Sequence, residues 1–260
     1  MEDLEPCFCV GLAEAQKEDG FDDDQAAYIS ATLLEAGSDT TSSTLYTFVQ
    51  AMLLYPEVQR KAQQESDKVV GDDRLPTLDD ESDLQYVRAC MKETLRWMPT
   101  TILGAVPHAV TQDDTYNGYL IPQGAGVLNN YPNPRQFDPE RYRDDYQSLA
   151  DAAANPSASK RDQFTFGAGR RICPGIHVAE RSLFLGIYRI LWAFNIEPIL
   201  DQNDKPILPD PDKLTKGFVC MLEEFPARIV PRCKDKEAKV IQYWKEAEEQ
   251  VLDPETKQWK

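Results

Sequence analysis

The sequence predicts a mainly α fold with a small β region, and three observations carry that expectation. Apolar residues recur at three- and four-residue steps over long stretches on either side of the chain's middle. Between those stretches, from Pro107 to about Asn129, short apolar runs alternate with turn residues, and Asn117-Gly118 between Tyr116 and Tyr119 is a hairpin signal. With 260 residues, 42% of them apolar, the chain can bury a real core as one large domain or two small ones. Collagen-like, mucin-like and wholly disordered classes are excluded on the same grounds.

The elements follow in order. Residues 1–24 are acidic and end in Asp22-Asp23-Asp24, a helix N-cap signal. From Asp24 to about Tyr55 the residues Ile29, Leu33, Leu34, Gly37, Thr41, Leu45, Phe48, Val49 and Met52 keep helical spacing, which predicts one long helix. Pro56 marks a break. Val58 to Val70 reads as a second helix ended by Gly71, and Asp83 to Trp97 as a third that stops before Pro99. Tyr131 to Phe166 is rich in Pro, Asp and Arg with little period, and its Ala152–Ser159 stretch reads as an exposed insert. Ile176 to Phe194 returns to helix through Val178, Leu183, Leu185, Ile187 and Leu191. Ile199 to Val230 suggests further short strands. The Lys/Glu-rich residues 234–260, with Trp244 and Trp259, predict an amphipathic terminal helix or a loose tail. There is no internal repeat.

Lys and Arg number 28 against 44 Asp and Glu, a net charge of −16. A chain this acidic has no global attraction for nucleic acid or anionic lipid, which leaves only local basic spots such as Lys160, Arg161, Arg170 and Arg171. No apolar run approaches the ~20 residues that span a bilayer, and the acidic Met1-Glu2-Asp3-Leu4-Glu5 is wrong for a signal peptide. Six cysteines, at 7, 9, 90, 173, 220 and 233, match neither a disulfide framework nor a zinc finger. Reduced thiols in a cytosol-facing compartment are expected, most of them ordinary buried cysteines.

Chemistry concentrates in Phe166-Gly167-Ala168-Gly169-Arg170-Arg171-Ile172-Cys173-Pro174-Gly175. Two close glycines, then a Cys between an aliphatic residue and Pro, then Gly and a helix, describe a tight loop that presents one sulfur. A helix N-terminus favours negative charge there, and Arg170 and Arg171 add to it. From the residues alone this sulfur is a packed side chain, a metal ligand or a nucleophile. The nucleophile needs a base, and the only histidines are His108 and His177. Glu93 and Arg96 share a face of the third helix at i and i+3, a common and usually solvated pair. Asp138-Pro139-Glu140-Arg141-Tyr142 places another Arg in a Pro-fixed loop. Ala36-Gly37-Ser38-Asp39-Thr40-Thr41 puts a Gly, an acid and hydroxyls in mid-helix, where Gly costs ~1 kcal/mol against Ala. That segment marks either a kink with close packing or an opening where a ligand lies beside the helix.

Taken together these segments resemble the cytochrome P450 family. The Cys loop matches F-x-x-G-x-R-x-C-x-G at Phe166, Gly169, Arg171, Cys173 and Gly175. The E-x-x-R of Glu93 and Arg96, the P-E-R-F-like Pro139-Glu140-Arg141-Tyr142, and the [AG]-G-x-[DE]-T-[TS] of Ala36 to Thr41 occur in the family's order. The likeness covers residues 22–232, with an acidic extension or helix end at 1–21 and a charged tail at 233–260, and its texture is most similar to fungal microsomal members. It implies the C-terminal, haem-binding part of the P450 fold. It also implies a monooxygenase that uses haem b, O2 and a lipophilic substrate, with electrons from NADPH through NADPH-cytochrome P450 reductase and no nucleic acid partner. In that frame Cys173 is the axial thiolate of the iron, with Phe166, Gly167 and Gly175 shaping its loop. Arg171 and His108 pair with haem propionates. Glu93, Arg96 and Arg141 form the buried ion cluster that braces the loop. Asp39 and Thr40 relay protons to dioxygen, with Gly37 making space. The basic spot near the Cys loop corresponds to the face on which the family docks its reductase, and His177 has no role.

Two departures qualify the likeness. Family members run to about 500 residues, so the amino-terminal half is expected to be absent, with its membrane anchor and much of the substrate pocket. Of that pocket Leu33, Ala36, Ile102, Leu103, Val106 and the Phe218-Val219 turn remain. The family's usual spacer between Val127-Leu128 and Tyr131-Pro132-Asn133-Pro134 is shortened to Asn129-Asn130, which threatens the placement of Arg141 against Glu93. The full-length relative would sit on the cytosolic face of the endoplasmic reticulum, whereas this chain, without an anchor, is expected in the cytoplasm. The alternative function is a truncated, non-catalytic fragment that binds haem poorly or not at all, its central helix exposing apolar surface. A Cys-nucleophile enzyme is the weakest alternative, since no credible Cys–His pair exists.

Overall fold

The computed structural model describes residues 7–101, 108–127, 131–157, 161, 165–167, 169–217 and 219–256. Helices dominate, and the strands pair only two by two. The chain divides into two compact units, Met1–Ser42 and Ser43–Lys260.

The first unit holds α1 (Phe8–Asp19) and the start of α2 (Asp23–Leu54). Helix α1 lies inside the stretch that reads as an acidic extension or helix end. It ends at Gly20, whose φ of +72° is the left-handed conformation that closes a helix C-terminus. Asp22 caps α2 reciprocally: its carboxylate accepts from Gln25 N–H at 2.8 Å, and its own N–H donates to the Gln25 side chain at 3.2 Å. Along this part of α2, Tyr28 is 76% and Leu34 74% exposed. The apolar period that predicts the helix therefore remains exposed within this unit.

The second unit contains the core. From Ser43 onward α2 buries Phe48, Ala51 and Met52, and Pro56 opens α3 (Pro56–Val69) at its first turn, where a missing N–H costs nothing. A 3-10 turn, Leu78–Asp83, leads into α4 (Gln85–Trp97). Every residue of α4 from Val87 to Trp97 is buried. Four strands follow: β1 (His108–Ala109), β2 (Asp114–Tyr116), β3 (Tyr119–Ile121) and β4 (Gly126–Val127), paired β1–β4 and β2–β3. Asn117 and Gly118 both take positive φ, +49° and +81°, and set Tyr116 opposite Tyr119 as the hairpin signal required.

A 3-10 turn, Pro139–Tyr142, and the short α5 (Leu149–Ala154) punctuate the irregular stretch. Ala152 is fully buried, so the expectation of an exposed insert from Ala152 fails at its first residue. Ser148 caps α5 by accepting from Asp151 N–H at 3.0 Å, which turns the run of alanines onto the core. Helix α6 (Ile176–Ala193) buries Leu183, Phe184, Ile187, Tyr188, Leu191 and Trp192. Strands β5 (Phe194–Glu197), β6 (Ile199–Leu200), β7 (Pro206–Ile207) and β8 (Arg228–Pro231) pair β5–β8 and β6–β7. Gln59 of α3 acts as a further strand for β5: its amide donates to Ile196 O at 3.0 Å and accepts from Ile196 N–H at 2.7 Å. The terminal segment is a helix, α7 (Lys234–Val251), anchored by the buried Lys236 on Asp67 at 2.9 Å and Asp72 at 3.1 Å.

The cysteine expectation needs correction. Among the described cysteines only Cys90 is buried; Cys7, Cys9 and Cys233 are exposed, and Cys173 and Cys220 are half-buried. Cys90 lies wholly within α4, and burial pushes its thiol well above the ordinary cysteine range.

Glu180 of α6 is buried and accepts Leu149 N–H at 2.7 Å. Burial raises its carboxyl above the ordinary glutamate value, so the folded chain holds this proton more tightly than the unfolded chain does. The sign follows: its stabilising contribution is complete below about pH 4.3 and is lost as pH rises through the raised value. Glu180→Gln keeps the acceptor and removes the buried charge. Its urea midpoint is expected to equal or exceed that of the wild type at pH 7, with the gap closing towards about pH 4. A lower midpoint at pH 7 that falls further with rising pH would contradict this assignment.

Candidate functional site

The last turn of α4 organises the site. The Glu93 carboxylate is fully buried and accepts from Arg96 twice, Nε at 2.6 Å and Nη2 at 2.8 Å. Its Oε1 also accepts from Asp138 N–H at 2.6 Å. Arg96 spends its remaining donors on backbone: Nη1 reaches Pro134 O at 3.0 Å and Nη2 reaches Gln136 O at 2.9 Å. Trp97 Nε1 donates to Arg135 O at 2.8 Å. Burial, the largest single effect, would lower the Arg96 guanidinium, but the Glu93 hydrogen bonds and the nearby negative charge together reverse it and the net direction is upward. A pair the sequence offered as usually solvated is therefore the clamp that fixes Pro134 to Asp138.

Arg141 completes the cluster. Its Nε lies 3.5 Å from Glu93 Oε1 and its Nη2 donates to Asn133 O at 3.2 Å. The short Asn129-Asn130 junction, whose residues lie outside the described ones, does not displace it. The Nε makes no hydrogen bond, so it joins the cluster by charge alone. Glu140, beside it, pairs outward with Lys61 and Arg143, and the Lys61 hydrogen bond holds its carboxyl below the usual range.

The Cys loop hangs from the same turn of α4. Thr165 Oγ1 donates to Leu95 O at 3.1 Å, one residue before Arg96. Phe166 and Ile172 pack against the core, and Cys173 N–H donates to Phe166 O at 2.8 Å, closing the loop. Gly167 and Gly169 take φ of +81° and +66°, which only glycine adopts without strain, and Gly169–Arg171 forms a 3-10 turn. Gly175 stands at the N-cap of α6, where an added Cβ would lie 3.7 Å from Cys173 Sγ. The sulfur is half-buried, a free thiol at the start of an 18-residue helix.

The structure thus brings together Glu93, Arg96 and Arg141, and joins the loop of Phe166, Gly167, Cys173 and Gly175 to the same helix through Thr165 and Leu95. Arg171 lies in the same loop with its side chain exposed, and His108 is exposed on β1 opposite Val127. Gly37, Asp39 and Thr40 belong to the first unit. There Asp39 is exposed, Thr40 Oγ1 donates to Ala36 O at 2.9 Å, and an added Cβ at Gly37 would meet nothing within 4 Å. Of the expected pocket residues Leu33 is 37% exposed and Ala36 is exposed; Ile102, Leu103, Val106 and Phe218 lie outside the described residues, as does Lys160.

Sequence reasoning missed a second clamp on α4. Lys92 is fully buried; its Nζ donates to Asp145 Oδ2 at 2.6 Å and Gln147 O at 2.8 Å. Arg88, one turn earlier, donates to Gln147 O at 2.9 Å and pairs with Glu81 at 3.3 Å. Their i, i+4 spacing was the available signal, but it reads as a solvated face.

A glycine-turned loop with one free thiol at a helix N-terminus hangs from the helix that carries the buried Glu93–Arg96 pair. The Cytochrome P450 sequence model matches residues 7–220, and the chain belongs to that family. Cytochrome P450 monooxygenase fsoB of Humicola fuscoatra is 51% identical over 267 residues, covering 98% of this chain and 48% of that protein. Cytochrome P450 monooxygenase virE of Hypocrea virens is 48% identical over 266 residues, again covering 48% of its own length. A zebra fish cytochrome P450 structure with abiraterone superposes with a TM-score of 0.63 at 29% identity, over 82% of this chain and 48% of that one. The chain spans about half the length of the curated relatives it matches. No described helix is long and apolar enough to cross a membrane.

The residues present fit the family's haem on the chemistry of the donor. Cys173 is a single free thiol with Gly175 keeping one flank clear of a Cβ, on a loop whose backbone is pinned at both ends. Removing one partner from the Glu93–Arg96 pair leaves a buried charge. Glu93→Ala is therefore expected to cost about 3–5 kcal/mol in urea unfolding, and the double variant Glu93→Ala/Arg96→Met less than the sum of the singles. A loss below about 1 kcal/mol for Glu93→Ala would show that the clamp carries little.

Proposed function

We propose that residues 22–232 are a partial P450 domain of a haem-thiolate monooxygenase that inserts one oxygen atom of O2 into a lipophilic organic substrate. The supporting observation is the Cys173 loop, closed on Phe166 and hung from the same α4 turn that carries Glu93 and Arg96. Haem, proposed as iron protoporphyrin IX, supplies the binding and reduction of dioxygen.

Each protein group then has a task. The Cys173 sulfur would hold the haem iron, and a thiolate donor there would supply electron density to the group. Phe166 packs beside the sulfur, while Gly167 and Gly175 keep the loop tight and the sulfur's flank open. Arg171 and His108 would bind carboxylates of the propionate type through hydrogen bonds. Asp39 and Thr40 form the proton relay, an acid beside a hydroxyl that can both donate and accept, and Gly37 leaves space for the ligand. Glu93, Arg96 and Arg141 hold the loop in register without touching substrate. Electrons come from NADPH through a cytochrome P450 reductase whose acidic face meets Arg170 and Arg171. In full-length form the protein works at the cytosolic face of the endoplasmic reticulum. A role in secondary metabolism rests on analogy with the fungal relatives.

A second reading, that these 260 residues bind haem weakly or not at all, is favoured by the 48% coverage of the relatives and by Tyr28 and Leu34 lying open on α2. One experiment addresses both. A version extended to the relatives' full length, reduced under carbon monoxide, should show the strongly red-shifted Soret band of thiolate ligation, and Cys173→Ala should abolish it. Persistence of that band in Cys173→Ala would refute Cys173 as the ligand. In the 260-residue chain weaker haemin uptake is expected; stable stoichiometric uptake would refute the fragment reading.

A further inference from the structure

Helix α7 lies beyond the family match, which ends at residue 220, and its exposed face has no assigned purpose. Lys236 and Val240 face the body of the unit: Lys236 reaches Asp67 and Asp72 and lies over the Trp192 ring, and Val240 packs on the core. Beside that side, and turned to solvent, runs a stripe at heptad spacing, Lys234, Glu237, Ala238, Ile241, Trp244, Lys245 and Glu248. All but Glu248 are exposed, with Ile241 at 49% and Trp244 at 62%.

The stripe is complementary to its own reverse. With a twofold axis at Ile241, Ile241 meets Ile241 of a second copy and each Trp244 falls on the small Ala238. Each Glu237 meets Lys245, and each Lys234 meets Glu248. No like charges oppose each other in this register, and the two apolar residues occupy its centre. A one-turn slip would set Glu237 near Glu248 and lose the match. Anionic membrane is the poorer occupant, because the second half of α7 carries Glu246, Glu248 and Glu249.

We propose that α7 is a self-association face on which two copies of this chain pair antiparallel about Ile241. Two heptads bury less than the ~1,200 Å² of a standard stable interface, so the dimer is weak and concentration-dependent.

Sedimentation equilibrium of the full chain from about 10 μM to about 1 mM tests this. The weight-average mass should rise towards twice the monomer value. Ile241→Glu, which brings two carboxylates together on the axis, should weaken association by about tenfold or more. Glu237→Lys and Lys245→Glu should each weaken it alone. Their equimolar mixture and the double variant Glu237→Lys/Lys245→Glu should both restore it. Unchanged far-ultraviolet circular dichroism in each variant confirms that α7 is intact. A monomer mass throughout the range would overturn the proposal. So would association insensitive to Ile241→Glu, failure of the mixture to rescue, or a face that binds anionic phosphatidylserine vesicles without pairing.

Discussion

The buried Glu93–Arg96 pair is the constraint on which the rest of the second unit depends. A carboxylate and a guanidinium withdrawn from water are each costly, and the cost is offset only when every donor and lone pair is used. Here the fork is bidentate, and its spare donors and acceptor go to Pro134 O, Gln136 O and Asp138 N–H. A helix with no free surface from Val87 to Trp97 thereby dictates the path of a stretch that has no secondary structure of its own. The Cys173 loop inherits that order, because Thr165 is tied to Leu95 in the same turn.

Helix α4 is clamped at two levels along its length. Glu93 and Arg96 hold Pro134 to Asp138, and Arg88 and Lys92 hold Asp145 to Gln147. Between the two clamped points lies Pro139–Tyr142, which carries Arg141 back to Glu93. A segment rich in Pro, Asp and Arg is thus fixed by hydrogen bonds to its backbone together with the burial of Phe137 and Tyr142. That division of labour leaves the Cys173 loop free of bulky neighbours on the Gly175 side while its backbone stays determined.

The parts legible in the sequence were those with local causes. The bounds of α2, α3, α4 and α6 follow apolar spacing and Pro or Gly punctuation, and Asn117-Gly118 announces its hairpin through backbone sterics alone. The Cys loop was legible because its glycines and its cysteine must stand at fixed offsets. Other features depend on partners far along the chain. Lys92 reads as a surface lysine until Asp145, 53 residues away, is folded against it. Gln59 reads as polar helix surface until Ile196 arrives as its hydrogen-bond partner. Ala152 reads as the start of an exposed insert because a run of alanines has weak periodicity, and only the α6 face tells where it packs. Helix α1 escaped notice because acidic composition masks its modest apolar content.

Whether α4 governs the presentation of Cys173 is most directly measured by amide hydrogen exchange in the folded chain carrying Arg96→Lys. Lysine keeps the charge but lacks the planar fork that reaches Glu93, Pro134 and Gln136 together. The Asp138 and Cys173 amides, which donate to Glu93 and Phe166 respectively, should lose protection together. Faster exchange at Asp138 with Cys173 unchanged would show that the loop keeps its shape without the clamp, contradicting the dependence at the centre of this structure.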